Sequence, residues 1–186
     1  MQFRSKIKQD VWVVDQMQGK RHGTFVDIGC AHPTYINNTY VLEKHFGWTG
    51  VSVDIGPPST YTLQHLTPAD YLMKWQSKRK SPLIIGDAMQ VDFRALFERQ
   101  GLPSVIDYLS MDIEPPRGTL ACLFRLPLEH YRFNVITYET DHYRGENTRE
   151  PSREFLLSHG YKLAVPGVLD RNGDEQEDWY VHEDFV

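Results

Sequence analysis

Five carboxylates recur at near-regular intervals, and each closes a short apolar run: Asp27, Asp54, Asp87, Asp112 and Glu139. They are spaced 27, 33, 25 and 27 residues apart. Each interval fits one strand plus one crossover helix, a unit of about 30 residues. In a parallel sheet all five would leave the same carboxyl-terminal edge, where open α/β sheets bind ligands. Any one acid could be a helix cap or a solvated strand end. Five together repel one another and resist desolvation, and a ligand bearing hydroxyls, amines or positive charge relieves both costs. The turn after the first run, Asp27-Ile28-Gly29-Cys30-Ala31-His32-Pro33, has a single glycine. Neither GxGxxG nor GxxxxGK[ST] occurs, so the turns that bring backbone N–H groups to phosphates are missing. The pattern suits a cationic nucleoside without phosphates. S-adenosylmethionine, with its ribose diol, adenine amine, ammonium and sulfonium, has that chemistry.

The elements that must position these acids follow from periodicity. Strand-length runs cover Thr24 to Ile28, Gly50 to Ile55, Pro82 to Ile85, Ile106 to Met111, Phe133 to Tyr138, Tyr161 to Val168 and Trp179 to Val181. Helical spacing covers Ser5 to Met17, Asn38 to Phe46, Pro68 to Lys78, Asp92 to Gln100, Gly118 to Phe124 and Ser152 to His159. Strand and helix alternate, which predicts an α/β fold with a parallel sheet and helices on both faces. Asn172-Gly173 lies between the last two runs and predicts an antiparallel hairpin. VDIG at 26–29 returns at 53–56, one strand-helix unit later, and the rest of the unit does not repeat.

The 186 residues predict one domain, 1–186, with a helical segment over 1–20. The formal net charge of −5 argues against nucleic acid as the main partner, because cations on phosphates dominate that affinity. Two cysteines are too few for a disulfide framework. No apolar run approaches the roughly 18 residues of a membrane span, and the N-terminal residues lack the apolar core of a signal peptide. The expectation is a cytoplasmic protein with no membrane partner, as a monomer or a homo-oligomer.

Several short stretches together resemble the FkbM-type S-adenosylmethionine-dependent methyltransferases. They are Gln9-Asp10, FVDIG at 25–29, Asn38-Thr39, Leu42-Glu43, Gly47-Trp48-Thr49-Gly50, Gly86-Asp87, Val135-Ile136 with Glu139, and Gly160-Tyr161. The most specific is DYLSMDIE at 107–114, similar to the family's DYLSIDIE. The resemblance implies a Rossmann-like, doubly wound, seven-stranded sheet, mostly parallel with a C-terminal antiparallel hairpin: the class I methyltransferase fold. It implies that Gly29 and Cys30 line the methionine end of the cofactor and that Asp27 accepts from its ammonium. Asn38 joins that set. Asp54 and Ile55 would meet the ribose, Asp87 and Ala88 the adenine, and Asp112 would sit beside the reacting methyl. The chain departs from the family at His32-Pro33, where Asp-Gly is usual, at Asp54-Ile55, where Glu-Pro is frequent, and at Pro115-Pro116-Arg117 after DIE.

The resemblance implies O-methylation of a hydroxyl on a sugar, glycan or related small molecule. N-methylation of a small molecule or protein, or cofactor binding without catalysis, are the alternatives. A hydroxyl acceptor must lose its proton. His142 is the first candidate base and His32 the second, with Asp112 beside the methyl. Asp112, Glu139 and Asp141 form a candidate oxygen-rich site for a divalent metal such as Mg²⁺. Lys74, Lys78, Arg79 and Lys80 read as cations at a helix C-terminus. Trp12, Tyr35, Tyr143 and Arg144 are candidates to cover the acceptor.

Overall fold

The computed structural model describes residues 2–56 and 66–185. Helix α1 (Gln9–Gln16) leads into β1 (Thr24–Ile28), α2 (Tyr40–Phe46), β2 (Thr49–Asp54), α3 (Pro68–Gln76), β3 (Leu83–Ile85), α4 (Phe93–Arg99), β4 (Val105–Met111), α5 (Pro116–Leu123), β5 (Arg132–Glu139), α6 (Arg149–Ser158), β6 (Tyr161–Leu169) and β7 (Glu175–His182). Local chemistry sets the boundaries. Thr67 and Asp70 form a capping box on α3, with Pro68 in the first turn. Asp92 caps α4 through the Ala95 N–H. Gly47 ends α2 at φ +71°. The first helix begins at Gln9 rather than Ser5. The Asp10 carboxylate captures the N–H groups of Arg4 and Ser5 and the Ser5 hydroxyl, which bends the chain, and Lys8 stands at φ 73°.

The strands form one sheet in the order β3-β2-β1-β4-β5-β7-β6. The first five pair in parallel, while β7 runs antiparallel between β5 and β6. The order reverses between β1 and β4, so the loops leaving these two strands diverge and open a crevice at their carboxyl ends. The expected hairpin joins β6 to β7, with Gly173 at φ +88° in its turn.

Alternate residues supply the two faces of the sheet. Phe25, Tyr108 and Val135 pack with Val13 and Met17 of α1 and Leu42 of α2. Val26, Ile28, Leu109 and Ile136 pack against Phe93, Leu96 and Phe97 of α4, Cys122 and Leu123 of α5, and Leu156 of α6. Each large apolar side chain fully buried this way stabilises the fold by about 1.5–3 kcal/mol. Among the described residues no helix is long and apolar enough to cross a membrane.

Arg79 corrects the reading of the basic cluster after α3. It is not a solvated helix-end cation. Its side chain is fully buried, pairs with Glu43 at 2.9 Å and lies over the Trp75 ring, 4.6 Å from the centroid. It also donates to Asn37 Oδ1, the Thr39 hydroxyl and the Pro33 carbonyl. Glu43 in turn accepts from the N–H groups of Lys80 and Ser81. One cation thus joins the loop after β1 to the turn after α3.

Candidate functional site

At the carboxyl edge of the sheet lies a cavity of about 1100 Å³. Asp27, Asp54, Asp87, Asp112 and Glu139 all line it. So do Gly29, Cys30, Asn38, Ile55 and Ala88. The five carboxylates converge because the parallel strands end at one level.

Two loops are stitched together beneath the cavity. The Gly29 N–H donates to the Val53 carbonyl at 2.8 Å, and the Asp112 N–H to the Ile28 carbonyl at 2.9 Å. Gly29 stands at φ +83°, and a Cβ there would lie 1.7 Å from the Asp112 carbonyl oxygen. Only glycine permits this approach of two backbones. Asp54 accepts from the N–H groups of Ala31 (2.8 Å) and Gly56 (2.9 Å). The Cys30 thiol also reaches Asp54 Oδ2, at 3.9 Å, and Oδ1 keeps a lone pair for a hydroxyl. Asp87 accepts from the Met89 N–H at the start of a 3₁₀ turn, Ala88–Gln90. Asn38 donates to the Ser110 hydroxyl.

Burial shapes the electrostatics. Asp27 accepts from the Thr39 hydroxyl at 2.7 Å, yet its burial pushes its pKa up to about 6. Burial also raises Asp54, Glu139 and Asp141 above the usual carboxylate range, and the charge of Asp112 adds to each of these rises. The Cys30 thiol is pushed up by burial and by Asp54, so it is a neutral wall group rather than a nucleophile.

The candidate bases separate. His32 lies in the cavity wall, where its Nδ1 accepts from the N–H groups of Thr34 and Tyr35. Burial and Lys74 lower its pKa, which favours the neutral ring. His142 sits in the exposed 3₁₀ turn His142–Arg144 and is not part of the cavity lining. Asp112 lines the cavity.

Two of the three candidate metal ligands, Asp112 and Glu139, line the cavity. Among the described residues no three His, Cys, Asp or Glu side chains are grouped to hold a metal ion. Asp141 follows the end of β5 in a left-handed conformation, φ 43°, and is 1% exposed. Its Oδ2 faces Arg144 Nε at 3.1 Å, and the residue is not in the cavity lining. Asp112 and Glu139 remain in the wall without it.

Of the candidate covering residues, Tyr35, Tyr143 and Arg144 line the cavity mouth. Trp12 does not, because it packs on Trp179 with ring centroids 4.9 Å apart. Arg144 grips Glu114 with both terminal nitrogens, at 2.5 and 2.7 Å, tying the loop after β4 to the loop after β5. Three contributors escaped sequence reasoning as site residues. Lys6 and Gln9 reach the cavity from the N-terminal segment. Lys6 donates to Gln176, and Gln9 donates to Glu177 at 2.6 Å. Glu177 also accepts from the Trp179 indole, and burial pushes its pKa up to about 8. The Gln9-Asp10 pair was the only signal for this corner.

The strand order, the reversed seventh strand and the cavity at the β1–β4 crevice define the class I methyltransferase fold. No protein-family model and no curated protein matches the sequence. Solved structures do match. A putative rRNA methylase from Clostridium thermocellum is 14% identical, with a TM-score of 0.59 over 98% of each chain. An rRNA methylase from Streptococcus thermophilus is 10% identical, with a TM-score of 0.57 over 98% of each chain. The O-methyltransferase NovP is 10% identical, with a TM-score of 0.58 over 94% of this chain and 78% of that one. At these identities the likeness is one of fold.

Proposed function

We propose that the protein is an S-adenosylmethionine-dependent O-methyltransferase of the FkbM type. Its acceptor is a hydroxyl of a sugar, glycan or related small molecule. The observation that carries this reading is the convergence of five strand-end carboxylates and Gly29 on one cavity. The residues fit the cofactor group by group. Asp54 can take a ribose hydroxyl while its other lone pairs hold the Ala31 and Gly56 N–H groups. Asp87 and Ala88 fit the adenine edge. Asp27, near Asn38 and Gly29, fits the ammonium, and a cation there would draw its carboxyl back to the charged form.

The cofactor, when bound, supplies a methyl group on a sulfonium. In the displacement the C–S bond breaks as a C–O bond forms, and the hydroxyl proton passes to a base. The chain must hold the acceptor oxygen about 3–3.5 Å from the methyl, in line with the leaving sulfur. Asp112 lines the cavity wall, which supports a role for it in orienting the hydroxyl and taking its proton. His32, held neutral, is the other proton acceptor in the wall. No step is assigned to His142, since it does not line the cavity, or to a metal, since the candidate ligands do not group. Cytoplasmic location agrees with two buried free thiols, Cys30 and Cys122.

Two structural neighbours are named rRNA methylases, but the acid-lined wall opposes a phosphate backbone here. Product analysis tests the reading. Incubation with S-adenosylmethionine and a panel of sugars, glycans, amines and short RNAs should give a methyl ether and S-adenosylhomocysteine. Methylated RNA, or a methylated nitrogen, contradicts it.

A further inference from the structure

Glu139 has no partner that offsets its charge. It is 7% exposed and lines the cavity, and its Oε2 accepts no hydrogen bond among the described residues. The charges of Asp112 and Asp141 bear on it, and Glu177 is its cross-strand neighbour on β7. All are acids. None of the cations of this corner pairs with Glu139 among the described residues. Lys6 donates to Gln176 and Arg144 grips Glu114. Arg117 faces Glu146 at 3.5 Å. No ion pair reaches Glu139 among the described residues. A buried, unpaired carboxylate is costly, and three acidic neighbours raise that cost.

The cofactor reading does not remove the deficit. If Asp27 holds the ammonium and Asp112 stands beside the sulfonium, no cationic group of the cofactor is left for Glu139. Without a cation Glu139 is relieved by holding a proton, and a cation arriving with the acceptor would draw it back to the charged form. A metal ion fits poorly, because these acids are not grouped as ligands. An N–H cation fits better, and the neighbouring acids already show that preference. The guanidinium of Arg144 bridges Asp141 and Glu114 on the rim of the same cavity.

Resting on the methyltransferase reading, we propose that the acceptor is an amino sugar or amino alcohol whose protonated amine is held by Glu139 while a neighbouring hydroxyl is methylated. The amine is a recognition group and is not itself methylated, since its protonated nitrogen has no lone pair. Exposed Tyr35 and Tyr143 flank the mouth through which such a ring would enter.

The test pairs each amine with its neutral counterpart: glucosamine with glucose and N-acetylglucosamine, and 2-amino alcohols with the matching diols. Each is titrated into the protein with and without saturating S-adenosylhomocysteine, and magnesium chloride is titrated alone. The amines should bind at least about tenfold more tightly than their partners, the scale of a charge-assisted hydrogen bond. Glu139→Gln should erase that preference and leave S-adenosylhomocysteine affinity within about twofold, which also shows that the variant folds. Glu139→Asp should keep part of the preference. Equal or weaker binding of the amines overturns the proposal, as does magnesium binding that Glu139→Gln abolishes, or an N-methylated product. If the amine preference appears but S-adenosylhomocysteine does not bind, the cofactor reading fails and the amine site stands.

Discussion

Arg79 and the buried acids show how single residues hold this site. Arg79 anchors the loop after β1 through Asn37, Thr39 and Pro33, and its partner Glu43 is buried with it. Although burial pushes Glu43 up, Arg79 and Ser81 hold its carboxyl below the usual range. Arg79→Met should cost about 3–5 kcal/mol in urea unfolding, because it strands a buried carboxylate. Arg79→Met combined with Glu43→Leu should recover part of that loss. Asp27 and Glu177 make the opposite prediction. Their folded pKa values are raised, to about 6 and about 8. The folded state therefore holds protons that the unfolded chain has released, and the stability these groups contribute is present below about pH 4 and is lost as pH rises through those values. In thermal melts the cofactor-free protein should lose stability between about pH 5 and 8, and Glu177→Gln should flatten the upper part of that decline. A wild-type melt that rises across this window contradicts it. The strand-end acids were legible because each closes an apolar run. The fate of Arg79 was not, since one of four adjacent cations turning inward leaves no mark in a sequence.

At the scale of elements, the repeated VDIG is the same strand-to-turn device used twice. Asp27-Ile28-Gly29 and Asp54-Ile55-Gly56 each end a strand in a glycine at φ +83°. The two are not equally constrained. A Cβ at Gly29 would meet the Asp112 backbone, whereas at Gly56 it would meet the Ile85 side chain, 2.9 Å away. Gly29→Ala should therefore separate the loops after β1 and β4. It should lose S-adenosylhomocysteine binding and about 3 kcal/mol or more of stability, while Gly56→Ala does less to both. Equal effects would show that the close approach is not what Gly29 serves. The alternation of strands and helices, and the hairpin at Asn172-Gly173, could be read from periodicity. The corner formed by Gln9, Glu139 and Glu177 could not. It depends on β7 inserting between β5 and β6, which brings together residues 168 positions apart. Asp141 shows the same limit in reverse. It is near Glu139 in sequence, but its left-handed backbone places it beside Arg144 instead of in the cavity wall.

For the whole molecule, the fold places nearly all its chemistry on one edge. Six of the 25 acids, Glu114 and the five strand-end carboxylates, line a single cavity, against three cations, Lys6, Arg117 and Arg144. On the proposed reading, this distribution favours a cationic cofactor without phosphates over a nucleotide. Calorimetric titration with S-adenosylhomocysteine tests most directly whether that cavity is the cofactor site. The predicted result is one site per chain, with affinity at least about tenfold weaker in Asp54→Ala, which removes the proposed acceptor of the ribose hydroxyls. No binding by the wild-type protein, or unchanged affinity in Asp54→Ala, would contradict it.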